Sequence, residues 1–260
     1  MLDPESQPKD FAVQHAGVLL ERLRARGPRV HCVTNSVAQN FTANALLAAG
    51  CVPSMTLSSE EIGDFVASSE ALLVNLGTFD RERRKATERA VEAARRDAIP
   101  WVLDPVFVDR AAGRASFANL LLARAPAVLR LNRAEFIALA EAQPTECALA
   151  SFAEEHDVVV AVSGETDIVT EGTRVGKVAN GHSLMSKVTA MGCATSALVA
   201  ACLAVEPDAW RATVGALVIM GVAGESAAAA ARGPGSFAVG VIDALHGLDA
   251  AALQARARVS

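Results

Sequence analysis

Two acidic residues stand at the ends of neighbouring apolar runs. Asp104 closes WVLD and precedes Pro105, and Glu135 follows AVLRL together with Asn132. Ligands of open α/β sheets gather at the carboxyl ends of the strands, and a pair of carboxylates there suits a hard, oxygen-ligated cation such as Mg²⁺, usually held with nucleotide phosphates. Ser163 and Gly164 end the run VVVAVSG, and Asn75, Gly77 and Thr78 surround the end of ALLVNL. Any one of these alone reads first as a helix cap or turn residue. The functional reading comes from their convergence on one rim.

A third feature is KVTAMGCATSALVAACLAV, in which a small-residue turn runs into a long apolar helix. The N–H groups of Ala190 to Cys193 then become unpaired donors of a helix start, suited to a phosphate or to developing negative charge. Cys193 falls in that first turn, where a thiol pKa can be lowered. A base or polar contact and a small residue packing the helix start are equal readings from spacing alone. The window HCVTNSVAQNFTAN brings together His31, Thr34, Asn35, Asn40, Thr42 and Asn44. A pocket lining is one reading; helix caps beside a satisfied core histidine is the simpler one. GTRVGKV imitates a phosphate loop but is one residue short between its glycines and has Val where Ser or Thr is needed. No GxGxxG follows a strand, so a dinucleotide site is not supported.

The elements that must carry these residues follow from periodicity. Residues 71–76, 101–104, 127–131 and 158–162 are short continuous apolar runs, the pattern of parallel strands buried on both faces. Charged helical stretches separate them, most clearly DRERRKATERAVEAARRDA. Residues 8–26 and 40–49 read as helices and 31–34 as an extended stretch between them. Ser58 with Glu61 forms a capping-box pattern that starts another helix across EEIGDFVASS. DIVTEGTRVGKV reads as a hairpin at the sheet edge, and the chain beyond residue 192 as helical to its end, broken near Gly233-Pro234-Gly235. Strand and helix in alternation imply a doubly wound α/β sheet, and no linker, charge block or repeat divides residues 1–260, which read as one domain.

Composition narrows the function. Lys and Arg total 24 against 29 Asp and Glu, a net charge of −5, which argues against nucleic acid and anionic lipid as partners. Aromatics make up 4% of the chain, with no Tyr, which weakens any stacking platform. Hydrophobic residues reach 52% and mean hydropathy +0.29, yet the most membrane-like window, residues 188–205, is rich in Ala, Ser, Thr, Cys and Gly, the composition of a buried helix. MLDPESQPKDF lacks the basic and apolar regions of a secretion signal, and five cysteines without a CxxC pair fit neither a disulfide framework nor a zinc site. A cytoplasmic protein is the expectation.

Taken in order, VHCVTNSVAQNFTANALLAAGCVPSM, LLVNLGT, VLDPVFV, RLNRAE, VAVSGETDIVTEG and SKVTAMGC opening a helix resemble the hydroxyethylthiazole kinases of thiamine salvage, members of the ribokinase-like group, over roughly residues 12–255. The resemblance implies a three-layer α/β/α sandwich with a mainly parallel sheet and phosphorylation of the primary alcohol of 4-methyl-5-(2-hydroxyethyl)thiazole. It also implies ATP and Mg²⁺, and a homotrimer with active sites between subunits. By the same resemblance Asn35, Met55 and Ala190 face the thiazole, while Arg130, Ser163, Gly164 and Gly192 face ATP. Asp104 and Glu135 fall on the acidic positions near Mg²⁺, and Cys193 stands where ribokinases carry a catalytic aspartate. Three blocks depart from the family's usual GTGC, RGNASE and DPVGVGA, reading here Ala190-Met191-Gly192-Cys193, RLNRAE and DPVFVDRA. Two alternatives remain: a related kinase for another small alcohol such as a hydroxymethylpyrimidine, and a thiazole- or nucleotide-binding homologue without turnover.

Overall fold

The computed structural model describes residues 8–260, with side chains from residue 15. The leader reading of MLDPESQPKDF rests largely on residues outside that range. Helices α1 (Pro8–Arg26) and α2 (Gln39–Ala48) flank β1 (Arg29–Val33), and β2 (Val52–Ser54) follows. Next come α3 (Ile62–Ala67), β3 (Ala71–Asn75), α4 (Arg81–Arg96), β4 (Trp101–Asp104), α5 (Ala112–Leu122) and β5 (Val128–Asn132). Helices α6 (Arg133–Ala140) and α7 (Glu146–His156) lead to β6 (Val159–Ser163) and the hairpin β7 (Asp167–Thr170) and β8 (Val175–Val178). After a 3-10 turn at Ser183–Lys187 the chain continues as α8 (Met191–Leu203), α9 (Ala209–Ala230), α10 (Pro234–Gly247) and α11 (Ala250–Arg256).

The eight strands form one sheet in the order β2-β1-β3-β4-β5-β6-β7-β8, parallel as far as β6 and antiparallel across the hairpin. The period-2 alternation of a strand divides its side chains between two apolar layers. Leu73, Val102, Val128 and Ala161 join one layer with residues of α1, α2, α8, α9 and α10. Leu72, Val74, Leu103, Leu129 and Val160 join the other with residues of α3 to α7. That is why the central runs read as unbroken hydrophobic stretches. Every residue of α8 but Gly192 is buried, which explains its all-round apolar sequence. Helix α9 is long and apolar enough to cross a membrane, but most of it is packed inside the fold.

Two sequence expectations need correction. The Ser58–Glu61 capping box does not form: residues 59–61 turn, the helix begins at Ile62, and the Glu61 carboxylate accepts the Thr56 hydroxyl instead. The competing short-range Thr–Glu bond wins because Thr56 lies on the adjoining loop. The chain beyond residue 192 is also not helical to its end. It breaks again around Pro207, where Asp208 caps α9 through Arg211 N–H at 3.0 Å, and residues 258–260 run extended beside β8.

Candidate active site

Sheet register does much of the positioning. Asn75 and Asp104 are neighbours across β3 and β4, and Asn132 and Ser163 are neighbours across β5 and β6, all at carboxyl strand ends. Asp104 is 5% exposed; its Oδ2 accepts Asn75 Nδ2 at 2.7 Å and Ser196 Oγ at 2.8 Å, while Oδ1 takes no donor among the described residues. Burial first, with Glu135 adding, pushes its carboxyl up to about 6 against the opposing pull of Arg130. Asn75 Oδ1 accepts Gly77 N–H at 3.0 Å, which fixes the amide so that its nitrogen faces both Asp104 and Cys193.

Cys193 therefore sits under two amide donors, Asn75 Nδ2 at 3.3 Å and Asn35 Nδ2 at 3.4 Å. Asn35 also donates to Asn75 Oδ1 at 3.4 Å, and its own buried Oδ1 is left without a partner. Gly77 makes this possible, since a Cβ there would lie 2.5 Å from Asn35 Nδ2. Of the two readings open for a first-turn cysteine, the lowered thiol pKa is not the one this site favours: burial, then the Asp104 charge, raise Cys193 to about 11, outweighing the two amides and Arg130. At neutral pH the group is a thiol.

Helix α8 starts from Ala190, which is in the left-handed region at φ 74°. Its first i→i−4 bond runs from Ala194 N–H to Ala190 O at 2.9 Å, so the N–H groups of Gly192 and Cys193 have no partner in the helix. No side chain caps this end. Arg130, on β5, donates from Nη1 to Gly192 O and Ser196 Oγ, both at 3.3 Å, and so joins the cysteine cluster to a cavity of about 830 Å³. Arg130, Ser163, Gly164, Gly192 and Thr195 line one part of it, Met185, Leu217, Met220 and Gly221 another.

Glu135 carries two duties at once. With Asn132 it completes a capping box on α6, each accepting the other's backbone N–H, at 2.9 and 3.0 Å. Its Oε1 also accepts Phe107 N–H at 2.9 Å, tying down the loop after Asp104, in which Phe107 takes φ 63°. Among the described residues no group of three or more His, Cys, Asp or Glu side chains is arranged to hold a metal. A free Asp104 Oδ1 with Glu135 nearby does fit Mg²⁺, which keeps most of its shell as water and phosphate and takes one or two carboxylates.

The structure thus brings together Asn35, Asp104, Arg130, Gly192 and Cys193, and places Ser163 and Gly164 on the cavity wall. Met55 stays apart: it follows the edge strand β2, half-buried against the core and outside the hydrogen-bonded cluster. Asn75 was visible as a strand-end residue, although the resemblance gave it no role. Ser196 was missed; its signal was spacing, since i+3 from Cys193 on a helix puts both on one face.

Strand-end carboxylates, an uncapped helix start and an adjoining cavity, on a mainly parallel sheet covered on both faces, define a ribokinase-like small-molecule kinase. The chain belongs to the hydroxyethylthiazole kinase family, whose sequence pattern it matches over residues 20–251. It is 43% identical over 256 residues to the hydroxyethylthiazole kinase of Cereibacter sphaeroides, covering 94% of this chain and 97% of that one. The Rhizobium etli enzyme of the same name is 44% identical, with coverage of 93% and 99%. Among solved structures, the hydroxyethylthiazole kinase protein of Pyrococcus horikoshii OT3 superposes with TM-score 0.90 at 36% identity, covering 94% of this chain and 98% of that one. Pyridoxal kinase from Staphylococcus aureus, at TM-score 0.60 and 14% identity over 74% of this chain and 86% of its own, shares the fold.

Proposed function

We propose that the chain works as one domain that transfers the γ-phosphoryl group of ATP to the hydroxyl of 4-methyl-5-(2-hydroxyethyl)thiazole. The observation that carries this reading is the Cys193 cluster: a thiol held by Asn35 and Asn75 at an uncapped helix start, joined through Arg130 to the cavity. Catalysis is positioning and charge stabilisation in an in-line displacement. Arg130 and the N–H groups of Gly192 and Cys193 stabilise the phosphoryl oxygens as charge develops. Cys193, protonated at neutral pH, orients the alcohol, whose proton passes to a phosphoryl oxygen as its oxygen bonds to phosphorus and ADP leaves. The buried, unpaired Oδ1 of Asn35, on the amide that holds Cys193, is an acceptor left for the substrate's hydroxyl. Asp104 and Glu135 hold Mg²⁺, directly or through water. Bound there, Mg²⁺ neutralises negative charge on the nucleotide phosphates. Ser163 and Gly164 support the nucleotide from the end of β6.

Met55 reaches substrate in this reading as part of a homotrimer, since within one chain it lies at the sheet edge. Val37, Leu47 and Val52, on or beside α2 and β2, are 75%, 56% and 52% exposed and supply an apolar surface for a second copy. The free cysteines, four of five buried, agree with work in the reducing cytoplasm. The test is to incubate the protein with MgATP and hydroxyethylthiazole and detect the phosphorylated thiazole by mass. Product from the wild type and none from Asp104→Ala or Glu135→Ala is the expected result; thiazole binding without product refutes the kinase reading.

A further inference from the structure

Residues 258–260 run antiparallel to β8 and close the far edge of the sheet. Lys177 and Ser260 exchange both backbone bonds, at 2.8 and 3.0 Å, and Ala179 N–H donates to Arg258 O at 2.9 Å. Arg258 N–H donates to Asn180 Oδ1 at 2.7 Å. Ala179, Asn180 and Gly181 are wall residues of the 830 Å³ cavity, and Arg258 is another. One carboxylate gathers this corner: Glu225, on α9, accepts Gly181 N–H at 2.9 Å and Asn180 Nδ2 at 3.1 Å, and pairs with Arg258 at 2.8 Å.

The pairing leaves the guanidinium incompletely used. Nη2 meets Glu225 and also donates to Ala179 O, while Nη1 and Nε take no partner among the described residues. Arginine carries five N–H donors in a rigid plane, so fixing one nitrogen aims the rest. The side chain is 53% exposed and borders the cavity. Its position along the cavity is set by its neighbours. Asn180 packs so closely on Gly221 that a Cβ there would lie 2.6 Å away, and Gly221 belongs to the apolar part with Leu217, Met220 and Met185. Arg130 and Gly192 hold the anion-binding part at the start of α8.

We propose that Arg258, carried on the extended segment 258–260 bridged to β8, is a nucleotide-binding residue that contacts the nucleoside half of ATP. This rests on the kinase reading above and adds to it a residue to which the family resemblance gives no role. Glu225 is shared with Arg256, whose Nη2 lies 3.4 Å from its Oε2, so it orients Arg258 without cancelling its charge. The assignment to the base or ribose rests on the place of Arg258 beside the apolar part of the cavity, while phosphate contact falls to Arg130 beside the start of α8. Pre-orientation by Glu225 lowers the cost of ordering the side chain on binding.

The experiment is calorimetric titration of wild type, Arg258→Ala and Arg258→Lys with ADP, alongside steady-state kinetics for ATP and hydroxyethylthiazole and a melting curve for each. Arg258→Ala is expected to weaken ADP binding about 5- to 20-fold and to raise the KM for ATP similarly, with kcat and the thiazole KM within about twofold. Arg258→Lys, which keeps the charge but loses the planar fork, is expected to recover less than half of that loss. ADP binding within twofold of wild type in Arg258→Ala overturns the proposal. So does a fall in kcat at unchanged ATP KM, or a matching rise in the thiazole KM with a lowered melting point, which marks general loosening. A wild type that binds no ADP sinks the kinase reading itself, a different outcome.

Discussion

Lowering the pH should unclasp the segment around Met55, through His31. This ring lies on β1, is fully buried, and uses both nitrogens: Nε2 meets Thr56 O at 3.1 Å and Nδ1 meets Ser54 Oγ at 2.8 Å. A carbonyl can only accept, so Nε2 carries the proton and Nδ1 accepts the Ser54 hydroxyl. The neutral ring grips both residues flanking Met55. Burial holds its pKa down at about 4 from the ordinary 6.5, with the Thr56 carbonyl opposing weakly. Between those values the unfolded chain takes up a proton that the folded one refuses. Stability contributed by the neutral ring is therefore complete above pH 6.5 and lost as pH falls towards 4, about 3 kcal/mol in all and about 2 kcal/mol by pH 5.

Other groups titrate in the same window. Asp104, raised to about 6, works in the opposite sense, because the folded form holds its proton down to the unfolded value and gains stability as pH falls. The wild-type curve alone therefore mixes signs, and the difference from His31→Gln isolates the ring. Urea unfolding of both proteins at pH 7.5 and 5.0, without Mg²⁺, should show the wild type losing about 2 kcal/mol more than the variant. Parallel losses within about 0.5 kcal/mol would refute a buried neutral His31. If Met55 meets the thiazole, acidification should raise the thiazole KM more in the wild type than in His31→Gln, while the ATP KM, which follows Asp104, rises alike in both.

Alkylation of Cys193 by iodoacetamide at pH 8 should be slower than that of exposed Cys147, read by peptide mass, because a thiol raised to about 11 has little thiolate there. Cys193→Ala should lower kcat by less than about 100-fold if the thiol only orients the alcohol, and a loss beyond about 10⁴-fold would require an essential thiolate. Gly77→Ala drives a Cβ to 2.5–2.9 Å from Asn35 Nδ2 and Cβ and from Asn75 Oδ1, both buried side chains, and should lower kcat and the melting point together. Ala190→Gly should raise stability by about 1 kcal/mol in denaturant titration, by relieving a left-handed alanine.

The sheet was legible because burial on both faces leaves a plain mark: strands β3 to β6 are continuous apolar runs, and the residues ending them are the polar ones the site uses. Cys193 and Arg130 needed the resemblance, since neither type nor spacing separates a first-turn cysteine from a packing residue, or one arginine from the many others. What stayed hidden is set by contacts distant in sequence. Glu225 meets Asn180 and Arg258 only once α9 packs on the β8 edge, and the Cys193 pKa depends on burial and an aspartate 89 residues earlier in the chain. First-turn helix geometry pointed to a lowered thiol pKa, and desolvation reversed the sign.

The family departures carry a further physical point. Ala190 and Phe107 stand where the family usually has glycine, and both retain positive φ, 74° and 63°. The backbone has kept a conformation that these side chains disfavour by about 1–2 kcal/mol each, so the surroundings must impose it. The imposing contacts are identifiable. Phe107 N–H is held by Glu135, and the Phe107 carbonyl accepts Arg110 N–H at 3.0 Å; Ala190 O accepts the first helical bond of α8. Both contacts serve the site, one fixing the loop after Asp104 and the other setting the open N–H groups beside Cys193. The strain is thus stored where loosening would misplace catalytic groups. Ala190→Gly consequently separates two quantities that usually move together: it should stabilise the fold while leaving kcat within about twofold, because the helix start already has the glycine geometry. A gain in stability accompanied by a large rise in kcat would mean instead that alanine distorts the anion site and that this chain has traded activity for it.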